Sequence, residues 1–237
     1  MIELKDVTVA YDEKKVLDCF TGNFEFGRLN VLIGKNGIGK STLLDVISHL
    51  TQVDAGVLKN IPKASKIMYM FQNTPFNTNV TVKQLFNMYR SFSKVTTFKY
   101  YDISNMDIFF EKNILPIFNR NLGSLSGGES KLIFTYVSAM VLKELYLFDE
   151  PLSGVDIENR TKIIELLGSL GKHVPVIMTS HEIEVFKGTD SILKYISPKG
   201  FLFTGTYEQL IKQYGPTSED AFLNLTRKMK NYDDYVC

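Results

Sequence analysis

Gly34-Lys35-Asn36-Gly37-Ile38-Gly39-Lys40-Ser41-Thr42 is the stretch on which the reading of this chain turns. It has the form G-x-x-x-x-G-K-[ST] and follows the short apolar run Leu29–Ile33. It opens the segment Ser41–Leu50, in which Leu43, Leu44 and Ile47 have helical spacing. Glycines let a loop wrap tightly enough for successive backbone N–H groups to point inward. A helix starting behind the loop adds the positive end of its dipole. Together they make a cradle for the phosphates of a nucleoside triphosphate. Lys40 is expected to reach the β- and γ-phosphates and Ser41 to ligate Mg²⁺. A glycine-rich turn with no ligand would need neither the strand before it nor the helix after it.

Working outward, Ile67–Phe71, Leu145–Phe148 and Val174–Thr179 are further short apolar runs suited to buried strands. Helical patterns over Ser126–Leu142 and Asn159–Leu170 separate them. Strands alternating with helices predict a mostly parallel sheet covered on both faces. Two earlier strand patterns, Ile2–Ala10 and Val16–Phe26, arrive with no helix between them and predict an antiparallel piece attached to that sheet. Residues 190–204 read as a hairpin turning at Pro198–Gly200, and the tail as amphipathic helix through Ala221, Phe222 and Leu225. In a parallel sheet the carboxyl ends of the strands face the ligand crevice. Asp149 and Glu150, closing the run Leu145–Phe148, are therefore candidates to hold Mg²⁺ through water (Asp149) and to accept a proton from the attacking water (Glu150).

Leu125-Ser126-Gly127-Gly128-Glu129 opens a long helical pattern and is a second anion-ready helix start, with Ser126 as N-cap and Glu129 completing a capping box. This pentapeptide, about 20 residues ahead of an apolar run ending in Asp-Glu, resembles the signature of the ATP-binding cassette (ABC) family; the resemblance spans Ile2 to Thr206. It implies an α/β fold: a P-loop NTPase core over residues 1–72 and 125–206, with a mostly parallel sheet and an antiparallel N-terminal β piece. Residues 73–124, with clustered aromatics and little strand pattern, read as a helical subdomain inserted into that core, and 207–237 as a C-terminal helical tail. The resemblance also implies roles for single residues. Tyr11, 23 residues before Gly34, resembles the aromatic on which adenine stacks. Gln72 resembles the glutamine that reaches Mg²⁺ and the attacking water. Asp156, in Ser153-Gly154-Val155-Asp156, resembles the residue that touches the partner subunit, and His181 resembles the switch histidine on the γ-phosphate. In the family, the loop Gly34–Thr42 of one subunit and the signature Ser126–Glu129 of another enclose each ATP. The implied assembly is a head-to-tail dimer, with one chain holding half of each site. His49 and His173 match nothing in the pattern.

Lys and Arg (27) nearly balance Asp and Glu (26), so composition gives no reason to expect nucleic acid. Cys19 and Cys237, at opposite ends of the chain, make no disulfide framework and fit a reducing cytoplasmic setting. The most apolar stretch, Leu132–Leu142, is too short to cross a bilayer. The expectation is a cytoplasmic ATPase held at the membrane through a separate transmembrane permease. DNA-repair and chromosome-structure ATPases of similar core carry a long coiled coil or zinc element between phosphate loop and signature. Here Gln72 and Leu125 are only 53 positions apart. Translation factors carry two cassettes and a basic linker, which this chain does not match.

Aromatic residues crowd the inserted stretch: Phe86, Tyr89, Phe92, Phe98, Tyr100, Tyr101, Phe109, Phe110 and Phe118. Most are expected to form the core of a small helical layer and the remainder a groove for a permease helix. After the signature the chain runs Ser130-Lys131-Leu132-Ile133, unlike many importers, and with so short a stretch after the hairpin the regulatory C-terminal domain of some of them is not expected. Phe76–Ser91 resembles small exporters of peptides or antibiotics, so export is the expectation, with import as the alternative.

Overall fold

Period-two apolar strands and their connecting helices fold as one sheet with helices on both sides; the computed structural model describes residues 1–72, 78–92 and 106–233. Strands β1 (Ile2–Tyr11) and β2 (Lys14–Phe24) pair as an antiparallel hairpin. Strand β3 (Leu29–Ile33) leads into helix α1 (Lys40–Ile47). Then come β4 (Ala55–Lys59), β5 (Ile67–Met70), α2 (Val82–Phe92) and the short α3 (Met106–Phe109). Helix α4 (Gly127–Met140) precedes β6 (Leu145–Phe148), and α5 (Ile157–Gly171) precedes β7 (Val176–Ser180). The hairpin β8 (Ile192–Ser197) and β9 (Gly200–Gly205) is followed by α6 (Tyr207–Tyr214) and α7 (Ser218–Asp233).

The sheet order is β4-β1-β2-β9-β8-β3-β7-β6-β5. Pairings from β8 through β3, β7 and β6 to β5 are parallel, and those of β1 with β2 and β4 are antiparallel. The fold is thus α/β, with a mixed, mostly parallel sheet and antiparallel N-terminal strands, as the apolar pattern predicts. Strands β3, β6, β7 and β8 are buried along their whole length, which is why they read as largely apolar runs. In β6, Tyr146 and Phe148 enter one apolar layer with α4 and α5, while Leu145 and Leu147 enter the other with α1 and the hairpin. Each such side chain contributes about 1.5–3 kcal/mol by leaving water.

One strand escapes the sequence reading. Strand β4 lies at the sheet edge against β1, and four of its five residues are exposed, so no apolar face announces it. Between β5 and α4, Val82, Leu85, Ile114 and Leu122 join the same apolar layer as Leu132, Ile133 and Tyr136 of α4. Phe86, Phe110 and Phe118 meet edge-on or tilted at 5.4–5.7 Å, and Phe109 stacks on Tyr136 at 5.6 Å. These phenylalanines are half-buried and pack against that layer, whereas Phe92 is exposed. Phe76, Phe98, Tyr100, Tyr101 and Cys237 lie outside the described residues. No helix among the described residues is long and apolar enough to cross a membrane.

A lysine sits inside the second layer. Lys194 of β8 is fully buried, its ammonium 5.2 Å from the Phe201 ring centroid and 5.9 Å from that of Phe24, with no hydrogen-bond acceptor among the described residues. Burial holds its pKa below the usual lysine value of 10.5, opposed by the charge of Glu25. A lysine pKa lowered in the fold means the unfolded chain binds the extra proton, so this burial costs stability at neutral pH and costs less as pH rises toward 10.5. Lys194→Met keeps the volume and removes the desolvated charge, while giving up the cation–π attraction. Thermal unfolding should show a gain of about 1 kcal/mol at pH 7, narrowing toward pH 10; a loss of stability at pH 7 would refute the account.

Candidate functional site

The first turn of α1 is set by Gly39, its N-cap, at φ 108°. A side chain there would be strained, and its Cβ would lie 2.9 Å from Val16 Cγ1 on the hairpin that carries Tyr11. The hairpin and the loop Gly34–Thr42 are thereby held together, with Tyr11 half exposed at the end of β1. Lys40 is buried and its Nζ donates to the carbonyls of Gly34 (2.9 Å) and Lys35 (3.1 Å), folding the ammonium over the loop. Burial lowers its pKa from the ordinary lysine range, and the charges of Glu150 and Asp149 act to raise it. Asn36, Gly37 and Ser41 are exposed, so the cradle is open.

Four adjacent parallel strands end side by side: β3 at the phosphate loop, β7 at His181, β6 at Asp149-Glu150 and β5 just before Gln72. Gln72 Nε2 donates to Glu150 Oε2 at 3.0 Å, and His181 Nδ1 lies 3.7 Å from the same oxygen. His181 is exposed, Glu150 half-buried and Asp149 buried. Glu150 has φ 47°, a left-handed conformation uncommon outside glycine that turns the chain out of the strand. Hydroxyl and carboxylate oxygens are the donors that suit Mg²⁺, and Ser41 with Asp149 supplies both types. Among the described residues no group of three His, Cys, Asp or Glu side chains is placed to hold a metal ion by itself. A hard ion here would draw its remaining ligands from phosphate oxygens and water.

A second constellation stands at the start of α4. Ser126 Oγ accepts from the Glu129 N–H (3.1 Å) while Glu129 Oε2 accepts from the Ser126 N–H (2.7 Å), the capping box read from the sequence. Burial disfavours the Glu129 carboxylate, but the Ser126 hydrogen bonds and Arg120, 2.9 Å away, outweigh it and hold the pKa below the usual range. Gly128 packs on the N-cap of α5: a Cβ there would lie 2.5 Å from Asp156 Oδ2. Asp156 is itself pinned by the Asn159 N–H (3.0 Å) and Asn159 Nδ2 (2.7 Å). Ser126, Gly127, Gly128, Glu129 and Asp156 thus form one group, and Lys40, Gln72, Asp149, Glu150 and His181 another.

Residues 17–153 match the family profile described as ABC transporter, more than half of the 237-residue chain. The chain belongs to the ABC transporter family. Its ATP-binding subunits are ATPases, and this chain is one of them. It is 28% identical over 198 residues to the zinc import ATP-binding protein ZnuC of Vibrio vulnificus, covering 81% of this chain and 72% of that protein. It is also 28% identical over 238 residues to ABC transporter G family member 20 of Dictyostelium discoideum, covering 96% of this chain and 32% of that protein. Among solved structures, the ATP binding subunit of an ABC transporter superposes with a TM-score of 0.78 at 18% identity, covering 95% and 99% of the two chains, a likeness of fold.

Three residues of this ABC ATPase enter the site without a motif to announce them. Thr179 Oγ1 donates to Asp149 Oδ1 at 2.6 Å and accepts from the Glu150 N–H at 2.7 Å. Its one sequence signal is a hydroxyl in an otherwise apolar run. Lys131 of α4 donates to the Gln72 carbonyl; burial lowers its pKa, opposed by Asp149 and Glu150. Tyr69 Oη donates to Asp45 Oδ1 at 3.0 Å, tying β5 to α1 behind the phosphate loop. Lys131 and Tyr69 are legible only once α4 and β5 are side by side.

Proposed function

We propose that this ABC ATPase binds Mg²⁺–ATP between two copies of itself and uses its hydrolysis to drive a separate transmembrane partner. The observation that carries the reading is the convergence of Gln72, Asp149, Glu150 and His181 at the carboxyl ends of adjacent strands beside the loop Gly34–Thr42. In this reading the backbone of Gly34 to Thr42 holds the phosphates, and Tyr11 stacks on the adenine. Lys40 swings from the Gly34 and Lys35 carbonyls to the β- and γ-phosphates, exchanging two hydrogen bonds for charge-assisted ones. Ser41, Asp149 and Gln72 hold the metal, which supplies charge neutralisation at the transferred phosphoryl group. Glu150 takes the proton of a water that Gln72 helps to orient, and His181 steadies the γ-phosphate.

The two separate groups of site residues support an assembly in which each needs the other's counterpart. The exposed Ser126 hydroxyl and the start of α4 form an anion-ready surface with no phosphate loop of their own chain bonded to it. A second copy placed head to tail would cap each ATP with Ser126–Glu129 and bring Asp156 to the boundary. Ile157, beside Asp156, is 82% exposed and fits such a boundary. ATP then favours the closed dimer by differential affinity, and hydrolysis withdraws it.

The direction of transport admits two readings. Export rests on the sequence resemblance of Phe76–Ser91 to small exporters. Import is favoured by the Vibrio relative, whose name is that of a zinc import protein. Purification of the chain from its native membrane tests the whole proposal. The expected result is Mg²⁺-dependent ATP hydrolysis and recovery of a polytopic membrane protein, whose transport assay in vesicles separates export from import. Recovery of RNA or DNA in place of a membrane protein would overturn the transport reading.

A further inference from the structure

Strand β6 pairs with β7 only as far as Phe148 and Met178. One residue on, the Asp149 N–H is taken by the Met70 carbonyl of β5 at 2.9 Å, and the chain then turns left-handed at Glu150. The Glu150 N–H is left without a ladder partner at that turn, and the Thr179 hydroxyl accepts it at 2.7 Å. The same oxygen carries one proton, and an ionised carboxylate can only accept, so that proton goes to Asp149 Oδ1 at 2.6 Å. Both bond directions are therefore fixed. Thr179 and Asp149 are buried, so water does not compete readily for either bond.

We infer that Thr179 is a positioning residue for ATP hydrolysis, its single hydroxyl locking the Asp149 side chain and the Glu150 backbone into one rigid unit. The inference rests on the proposed roles of Asp149 at the metal and Glu150 as base. The Asp149 bond fixes one carboxylate oxygen and so the orientation of the carboxylate that would help to hold a metal ion. The Glu150 bond holds a backbone conformation that would otherwise relax, and with it the aim of the carboxylate toward Gln72 and His181. Hydrogen bonds behind a metal ligand commonly carry on the order of tenfold to a hundredfold in metal affinity or activity. Lys40 donates to the Gly34 and Lys35 carbonyls and not to Thr179, so metal-free nucleotide binding is expected to stay unchanged.

Thr179→Val removes the hydroxyl at nearly constant shape, and Thr179→Ser keeps it. Steady-state hydrolysis, the Mg²⁺ dependence of ATP binding and metal-free binding of a fluorescent ATP analogue are measured on both, with Glu150→Gln alongside. For T179V the expected result is a fall in kcat of about tenfold and a rise in the Mg²⁺ concentration for half-maximal ATP binding of about tenfold, with metal-free binding unchanged. T179S should restore both within about twofold. If T179V accumulates poorly, Thr179→Ala carries the same comparison with a small cavity in place of the methyl groups. Wild-type kcat and Mg²⁺ dependence in T179V, or a T179S as impaired as T179V, would overturn the inference. If E150Q hydrolyses ATP normally, the assignment of Glu150 fails instead, whatever Thr179 does.

Discussion

Glu150→Gln is expected to lower ATP turnover by about 10²–10⁴-fold, the range ascribed to general acid–base catalysis, while leaving nucleotide affinity intact. The reason lies in what the substitution keeps. Glu150 Oε2 accepts a hydrogen bond from Gln72 Nε2 at 3.0 Å, and a glutamine amide oxygen accepts the same bond in the same place. The backbone bond to Thr179 is untouched, since it uses the main-chain N–H. Shape and contacts survive, and the capacity to take a proton is lost. With hydrolysis removed and ATP still bound, the closed dimer should accumulate, visible as an ATP-dependent doubling of mass in analytical ultracentrifugation. Near-normal hydrolysis by this variant would refute the role of Glu150, and no dimer with or without ATP would count against the sandwich.

Gly128→Asp is expected to reduce hydrolysis by on the order of 10²-fold while leaving ATP binding to the isolated chain within about twofold of normal. A Cβ at residue 128 would lie 2.5 Å from Asp156 Oδ2 and 3.1 Å from Asn159 Nδ2. Neither neighbour can yield cheaply, because the Asp156 carboxylate is held by the Asn159 N–H and side-chain amide. The hydrogen bonds of Asp156 also hold its pKa low, so it stays ionised at neutral pH and a second carboxylate beside it is repelled. The first turn of α4 must then move off the start of α5, taking Ser126 out of line and setting negative charge where the proposed dimer would dock a phosphate. Gly128→Ala, which adds the methyl without the charge, should give an intermediate loss. The split between intact binding and lost turnover is the informative readout: equal loss of both would place the damage in folding.

Much of this site is written locally. The phosphate loop is a backbone conformation set by its own glycines, and the start of α4 is a capping box closed within four residues, so both could be read from consecutive letters. The strands β3, β6 and β7 were legible because burial on both faces leaves an apolar run, and β4 was not because an exposed edge leaves none. The packing of the aromatic cluster was legible but not its pairings, since Phe109 meets Tyr136 only once the segment before α4 folds onto that helix.

The sequence by itself determined that a triphosphate cradle, a carboxylate pair and a second anion-ready helix start are present, because each depends on residues adjacent in the chain. Tertiary structure alone decided that Gln72, Glu150 and His181 meet, that Thr179 bridges Asp149 to Glu150, and that Asp156 fills the space a side chain at Gly128 would need. Those meetings follow from the order β3-β7-β6-β5 and its register. Strand order is settled by burying apolar surface across the whole sheet, and no short stretch of sequence carries that sum.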